Sequence, residues 1–347
     1  MWRRVFPACG AVALGLAVAA FVPRVELPAR LTDQAFWKLS AESSEPGGYF
    51  RSQDITNLTS NELWFLHVVP ELVHRTKPGG TYLGVGPEQN YSYMVAVRPK
   101  MAIIFDIRRG NLDTQLMYKA IFELSLDRAD FVSMLFSKPR PAGLGPKSTA
   151  MELFHAFAAA PASEPIYRRN LAAIEGQLTK VHGLPLLASD LAGVRTIYQT
   201  FYYSGFSVRP SPTYADLMTA TDAAGVSRSF LATEGAFAFL RDLESRNLVV
   251  PVVGDFSGPK AIRAIGAYLK TQGTTVSAFY LSNVEQYLTG GKWEAFCRSV
   301  ATLPLDTSST FIRSASGGGG FGGFGRGGGF VSSLGAMAEE AKGCRGL

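Results

Sequence analysis

The chain has 347 residues, of which 47% are hydrophobic, and a formal net charge of +6. This composition is typical of a folded core and excludes an intrinsically disordered chain. Because the Lys and Arg residues are spread along the sequence, nucleic acid is not an expected partner, whereas a small-molecule ligand is.

The cysteines and histidines predict no metal site. Cys9, Cys297 and Cys344 have no C-x-x-C spacing, which also argues against a disulfide framework. The four histidines are scattered and form no His-x-x-x-His pair. We therefore expect a protein without a metal cofactor.

Residues 1–24 have the layout of a signal peptide or a single membrane anchor, with two arginines before an apolar run. Residues 17–19 form an acceptable small-x-small cleavage site, but the run is nearly long enough to span a bilayer, so both forms remain open. Either form predicts a cell-envelope location, exported or anchored in the inner membrane. The cytoplasmic face of the membrane is the alternative, because basic residues also follow the run.

Two helices are predicted before the first strand. Thr32 or Asp33 is the candidate cap of the first helix, and Ser60 is the candidate cap of the second. Turn-rich segments near both helices suggest a lid over a ligand. The candidate lid residues are Tyr49, Phe50, Asn61 and Glu62.

An α/β domain is predicted within residues 31–313. Residues 79–111 alternate as strand, glycine turn, helix and strand, and strand signals return at 247–256 and 274–282. The mainly helical block at 111–240 is too long for one crossover, so we predict a Rossmann-like, mostly parallel sheet with a large helical insertion and an N-terminal helical segment. Glycine dominates from Ser314 onward, and we predict that residues 314–347 form a flexible tail.

The glycine turn carries the main functional signal. Gly84 and Gly86 follow the first strand, where the backbone can approach a ligand, and Asp106 ends the next strand, where a carboxylate can accept hydrogen bonds from ribose. A G-x-G-x-x-G motif would place glycine where Gln89 stands, and Glu88 would repel a pyrophosphate. A ligand with a ribose and a cationic or amino-acid end, such as S-adenosylmethionine, tolerates that charge.

Two other interpretations of this turn stay open. It is also consistent with a tight β-α turn without a ligand, in which Asp106 pairs with Arg108 or Arg109. A dinucleotide-dependent oxidoreductase is the weaker option, because Glu88 and the missing third glycine count against it.

Four stretches, "YLGVGPEQNYSYMVAVRPKMAIIFDIRR", "YKAIFELSLDRADF", "NLVVPVVGDFSGPKAIRAIGAYLKTQG" and "FYLSNVEQYL", resemble a bacterial family of largely uncharacterised proteins. Their pattern is similar to that of class I S-adenosylmethionine-dependent methyltransferases. The resemblance implies that Gly84 and Gly86 line the cofactor and that Asp106 binds its ribose, although no Asn-Pro-Pro-Tyr motif is present. The full set of candidate cofactor-binding residues is Gly84, Gly86, Glu88, Gln89, Asn90, Asp106, Arg108, Asp255, Ser282 and Asn283.

Polar residues at two further strand ends are candidates for chemistry. Asp255 follows one strand, and Glu285 follows the next, so these two are the catalytic candidates. The alternative role is helix capping, by Asp255 or Ser257 in one case and by Ser282 or Asn283 in the other.

Two functions of different class follow from these signals. The first is an S-adenosylmethionine-binding, methyltransferase-like protein with an undefined methyl acceptor. The second is a non-enzymatic cell-envelope protein that binds a ligand or partner on a methyltransferase-like fold.

Overall fold

The structure, a computed structural model, describes residue 1 and residues 26–49, 57–316 and 330–344. The predicted signal peptide or anchor, residues 1–24, lies outside the described residues except for Met1. Phe50 of the predicted lid also lies outside them. Among the helices of the described residues, none has the length and apolarity needed to cross a membrane.

A six-stranded sheet organises the described residues, with the strand order β3-β2-β1-β4-β5-β6. The strands are β1 (Thr81–Val85), β2 (Met101–Asp106), β3 (Val249–Val253), β4 (Val276–Ser282), β5 (Thr310–Ser316) and β6 (Phe330–Ala336). Strands β1 to β5 are parallel, and β6 is antiparallel to β5. This α/β architecture confirms the predicted Rossmann-like, mostly parallel sheet.

The helices of the described residues cover the sheet and form the insertion. They are α1 (Asp33–Ser43), α2 (Val69–Arg75), α3 (Gln89–Val97), α4 (Arg109–Leu124), α5 (Arg128–Phe136), α6 (Ala150–Ala158), α7 (Glu164–Gly176), α8 (Ala188–Ser204), α9 (Tyr214–Thr219), α10 (Glu234–Ser245), α11 (Ala261–Thr271), α12 (Lys292–Val300) and α13 (Met337–Gly343). Helices α4 to α10 all lie between β2 and β3 in the chain, where the helical insertion was predicted.

Burial on both faces explains why the central strands are so apolar. All residues of β1, β2 and β3 are buried, as parallel strands covered by helices on both sides require. In the register, Val85 pairs with Phe105 and Asp106 pairs with Val253. The carboxyl ends of these three strands therefore meet at one edge of the sheet.

The N-terminal segment agrees only partly with the predicted helices. The hydroxyl of Thr32 caps α1 by accepting a hydrogen bond from the Ala35 amide at 3.1 Å. The second helix begins later than predicted, at Val69, after a 3₁₀ turn at Phe65–Val68. Ser60 is not its cap, because the Ser60 hydroxyl binds the side chain of Gln89, a contact that depends on the tertiary fold.

The C-terminal segment is not a tail throughout, which corrects the predicted boundary at residue 314. Strand β5 continues to Ser316, and residues 330–343 form β6 and α13. Met337 and Ala341 of α13 are buried, so this helix is part of the core. The glycine-rich composition predicted a flexible tail, whereas β6 forms in this region because it pairs with β5.

A disulfide joins the C-terminus to α12. Cys297 and Cys344 have Cα atoms 5.1 Å apart and are bonded. Their separation of 47 residues carries no local signal, which is why spacing predicted no disulfide. The fold brings α12 and α13 together and thereby makes the pair.

Candidate functional site

A cavity of about 360 Å³ opens at the carboxyl ends of β1, β2, β3 and β4. Its position spans the point where the strand order reverses, between β1 and β4, which is where open α/β sheets bind ligands. The volume falls in the range of small-molecule sites. The lining residues are Tyr49, Asn57, Ser60, Asn61, Glu62, Val85, Gly86, Pro87, Asp106, Ile107, Arg108, Asp255, Phe256, Tyr280, Ser282, Asn283, Val284, Tyr287, Leu288, Thr289 and Lys292.

The two glycines of the turn have different surroundings. Gly86 lines the cavity, has a φ of 78°, and faces open space where a Cβ would project. A Cβ on Gly84 would instead lie 1.9 Å from Oδ1 of Asn90 and 2.8 Å from the ring of Tyr82. Gly84 therefore allows close internal packing, and only Gly86 is presented to a ligand.

Three residues that follow Pro87 point inward and do not line the cavity, namely Glu88, Gln89 and Asn90. The side chain of Asn90 donates to the backbone carbonyls of Val85, Gly86 and Pro87 at 2.7 to 3.2 Å. Glu88 accepts a hydrogen bond from the amide of Ser60 at 3.1 Å. Burial raises the pKa of Glu88 to about 7. These buried side chains hold the shape of the turn.

Gln89 connects the turn to the segment that precedes β1. Its side-chain amide donates to the carboxylate of Glu62 at 2.8 Å and to the hydroxyl of Tyr93 at 3.1 Å. Its side-chain carbonyl accepts from the hydroxyl of Ser60. The predicted cofactor contact by Gln89 is thus replaced by a structural link.

Asp106 lies on the cavity wall and is paired with Arg108. The guanidinium donates from Nε to Oδ1 at 3.0 Å and from Nη2 to Oδ2 at 2.8 Å, and the Arg108 amide also donates to Oδ1 at 2.9 Å. Both side chains are buried. In the described part of the chain these bonds fill the acceptor positions of Oδ1 and leave one on Oδ2. The pair and a ligand contact are therefore compatible.

Glu62 forms the polar end of the cavity beneath β4 and β5. It is 1% exposed and accepts hydrogen bonds from Ser282 at 2.5 Å, from Gln89 at 2.8 Å and from Ser314. Its sequence context suggested a lid, yet the side chain lies inside the fold. Ser282 ends β4 with a φ of 50°, a backbone conformation that is strained for a residue other than glycine.

Asp255 lines the cavity at the end of β3. Its Oδ1 accepts hydrogen bonds from the amide and the hydroxyl of Ser257, both at 2.8 Å. Helix α11 is capped by a distant residue instead, because Glu45 accepts from the amides of Lys260 at 2.7 Å and Ala261 at 2.9 Å. The alternative role of Asp255 or Ser257 as the local cap is therefore taken by Glu45, and Asp255 faces the cavity.

The two catalytic candidates are separated. Glu285 pairs with Arg313, with distances of 2.5 and 3.1 Å, and lines a second cavity beside the disulfide. Arg313 also binds Glu340 of α13 at 2.6 Å. Glu285 therefore braces the fold, whereas Asn283, two residues earlier, lines the main cavity.

Sequence reasoning missed several lining residues. Tyr280 lies two positions before Ser282 in β4, so the period of a strand places both on one face, and this signal was available. Burial raises the pKa of Tyr280 well above its usual value, so it remains a neutral hydroxyl. Phe256 and Lys292 also line the cavity and had no motif to mark them.

The charges of the cavity favour a cationic ligand. Three carboxylates line it, those of Glu62, Asp106 and Asp255, against the two basic groups of Arg108 and Lys292. Asp106 is neutralised by Arg108. The carboxylates of Glu62 and Asp255 accept the hydrogen bonds described above from neutral groups.

Comparisons with known proteins assign a family but no activity. A search of curated proteins finds no match. A family model matches residues 55–181 and 192–330, which are more than half of the chain and include the carboxyl ends of β1 to β4. The chain belongs to the family described as Domain of unknown function (DUF7790).

Proposed function

We propose that this protein binds S-adenosylmethionine in the main cavity and is methyltransferase-like, with an acceptor still to be identified. One observation carries the proposal. Gly86, with its open left-handed turn, and Asp106, the acid that ends β2, lie on one cavity at the carboxyl edge of a Rossmann-like sheet.

The sheet supports a comparison with class I methyltransferases. Five parallel strands in the order β3-β2-β1-β4-β5 are followed by an antiparallel strand next to β5. In the class I methyltransferases that the sequence resembles, the first strand likewise ends in a glycine turn and the second strand ends on an acid, as β1 and β2 do here. Fold likeness alone does not assign activity, so the proposal depends on the cavity.

The pairing of Asp106 with Arg108 shapes the expected ribose contact. Because one acceptor position on Oδ2 remains in the described residues, Asp106 can accept from one ribose hydroxyl instead of two. Arg108 holds the carboxylate in place for that contact. The apolar side chains of Ile107 and Phe256 supply a surface for an adenine ring.

The charge of the cavity fits the same ligand. S-adenosylmethionine carries a sulfonium, an ammonium and a carboxylate, and so has a net positive charge. The carboxylates of Glu62 and Asp255 favour such a ligand, whereas they would repel a pyrophosphate.

Thermal unfolding of the purified protein tests the proposal against S-adenosylmethionine, S-adenosylhomocysteine, NAD and ATP. A ligand at one hundred times its dissociation constant should stabilise the protein by about 2.7 kcal/mol. Asp106→Asn should abolish the shift with S-adenosylhomocysteine. Asp190→Asn is the matched control, because Asp190 forms a similar two-bond pair with Arg109 outside the cavity lining.

The result that overturns this function is an unchanged midpoint with both adenosyl ligands in a protein that unfolds cooperatively. A shift with NAD alone would favour the oxidoreductase interpretation. If Asp106→Asn and Asp190→Asn reduced the midpoint shift equally, the ligand would not be in contact with Asp106.

The Cys297–Cys344 disulfide favours a second candidate function, a non-enzymatic cell-envelope protein that binds a ligand or partner. Disulfides persist in exported proteins and are rare in the cytosol, where S-adenosylmethionine is made. We accordingly propose a cell-envelope location, with the cytoplasmic face of the membrane as the alternative. Alkylation of cysteines in intact cells, followed by fractionation, tests it: a bonded Cys297–Cys344 pair in the envelope fraction supports export, and free thiols support the cytoplasmic face.

A further inference from the structure

Glu62 differs in its hydrogen-bond partners from Asp106 and Glu285, two acids that pair with arginine. Asp106 is neutralised by Arg108, and Glu285 by Arg313. Within the described residues, the hydrogen bonds of Glu62 come from Ser282, Gln89 and Ser314, which are all neutral. Together these groups place at least one hydrogen-bond partner on each of the two carboxylate oxygens.

A buried carboxylate without a cation is costly, because its charge has left water without an opposite charge nearby. Glu62 is 1% exposed and still lines a cavity large enough for a small molecule. The opposite charge can therefore be supplied by a ligand that enters the cavity.

The backbone of Ser282, which contacts Glu62, gives an independent indication of a ligand site. Ser282 has a φ of 50°, and its hydroxyl donates to Glu62 at 2.5 Å. A non-glycine residue in this conformation costs free energy, and such strain concentrates at ligand sites. The pairing of β4 with β5 also shifts register between Tyr280 and Ser282, so the irregular end of the strand is the part that contacts Glu62.

We infer that Glu62 is the binding site for a protonated amine of the ligand, held between Glu62 and the strained end of β4. The inference rests on the proposed function and specifies it. If the ribose lies at Asp106 on the β2 side, the other end of the ligand extends past Gly86 toward Ser282 and Glu62 on the β4 side. An ammonium fits this end better than a sulfonium, because only the ammonium can donate hydrogen bonds.

The arrangement explains why Gln89 and Ser60 are turned inward. The amide of Gln89 donates to Glu62 and its carbonyl accepts from Ser60, whose hydroxyl also accepts from the Glu62 amide at 3.1 Å. The start of α3 and the segment before β1 therefore fix the carboxylate in one position. A fixed acceptor binds an amine without the cost of ordering it first.

The test compares two ligands that differ in one group. S-adenosylhomocysteine carries the amine, and its deamino analogue keeps the carboxylate and lacks only that amine. Calorimetric titration of the full-length protein should show tighter binding of S-adenosylhomocysteine by about tenfold to one hundredfold, the range of a charged hydrogen bond. Glu62→Gln should remove most of this preference, because it removes the charge and preserves the size of the side chain.

Glu244→Gln is the matched control, because it makes the same change at a buried carboxylate outside the cavity lining, and the preference should stay unchanged. Because preference is a ratio measured within one variant, a general loss of stability does not mimic the expected result. Should Glu62→Gln fail to fold, Glu62→Asp keeps the charge but shortens the side chain and should lose part of the preference.

Three outcomes overturn the inference. Equal binding of the two ligands by the unsubstituted protein removes the amine site while leaving the nucleoside site intact. Loss of the preference in Asp255→Asn instead of Glu62→Gln places the amine elsewhere. Binding of neither ligand rejects the proposed function and the amine site together.

Discussion

The guanidinium of Arg108 donates to both carboxylate oxygens of Asp106, at 3.0 Å from Nε and at 2.8 Å from Nη2. The residue expected to hold a ribose is therefore already part of a buried ion pair. Two roles meet in one side chain, since the same carboxylate lines the cavity. Its contributions to stability and to binding can be measured separately.

Arg108→Met should destabilise the protein by about 3–5 kcal/mol, because it leaves the Asp106 charge buried without its cation. The double variant Arg108→Met/Asp106→Asn should cost less than the sum of the single variants. Urea unfolding of the four proteins measures this coupling. Additive losses, within about 0.5 kcal/mol, would show that the pair contributes little to stability.

Substitution by alanine should reduce stability more at Gly84 than at Gly86. In Gly84→Ala the new Cβ meets Oδ1 of Asn90 at 1.9 Å and Tyr82 at 2.8 Å, so we expect a loss of about 3 kcal/mol, at the upper end of overpacking. Gly86→Ala faces open space and should cost only about 1–2 kcal/mol for its left-handed backbone. Urea unfolding measures both losses.

Ligand binding should show the reverse order. The methyl group of Gly86→Ala projects into the cavity and should weaken binding of S-adenosylhomocysteine, whereas folded Gly84→Ala should bind with little change. A larger stability loss in Gly86→Ala than in Gly84→Ala would contradict this division of roles.

The sheet was predictable because buried parallel strands have short apolar runs in their sequence. The runs at 101–106 and 249–253 are examples, and turn residues separate them from helical periods. The rule that ligands meet strand ends also selected residues that do line the cavity. These are Gly86, Asp106, Arg108, Asp255, Ser282 and Asn283.

The direction of the remaining candidate side chains depends on distant partners, which local sequence does not name. Gln89 turns toward Glu62, which lies 27 residues earlier, and Glu285 turns toward Arg313, which lies 28 residues later. A residue larger than glycine at position 84 would collide with Asn90 and Tyr82. Such contacts exist only after the sheet has assembled, and for the same reason β6 and the disulfide were missed.

Cys344→Ser should destabilise the C-terminal edge of the sheet. The bond closes a separation of 47 residues, for which the chain-entropy model gives about 4 kcal/mol. The expected result is a lower unfolding midpoint and faster proteolysis at β6 and α13. Reduction of the disulfide in the unsubstituted protein should give the same two changes, whereas reduction of Cys344→Ser should add none. Equal midpoints for Cys344→Ser and the unsubstituted protein would mean that packing of Met337 and Ala341 is sufficient to hold this edge.

Stability should fall as pH rises through the neutral range, because of a buried cluster around Lys119. Burial raises the pKa of Glu244 to about 8, and neither carboxylate oxygen has a hydrogen-bond partner in the described residues. The hydrogen bond to Glu123, and a further one to Asp33, raise the pKa of His182. Both groups bind protons more tightly in the folded state, so their stabilisation is complete at low pH and is lost as pH rises through the folded pKa values.

Glu244→Gln separates the two groups. Glutamine does not ionise, so its advantage over the unsubstituted protein should grow by roughly 1.4 kcal/mol per pH unit between the unfolded and folded pKa values of Glu244. Urea unfolding between pH 5 and pH 9 measures the slope. His182→Gln should instead lower stability most below the unfolded pKa of about 6.5, and this loss should shrink as pH rises through the raised folded pKa. A constant difference between Glu244→Gln and the unsubstituted protein at every pH would contradict this assignment, because a group that is ionised in the fold at all these pH values contributes no slope.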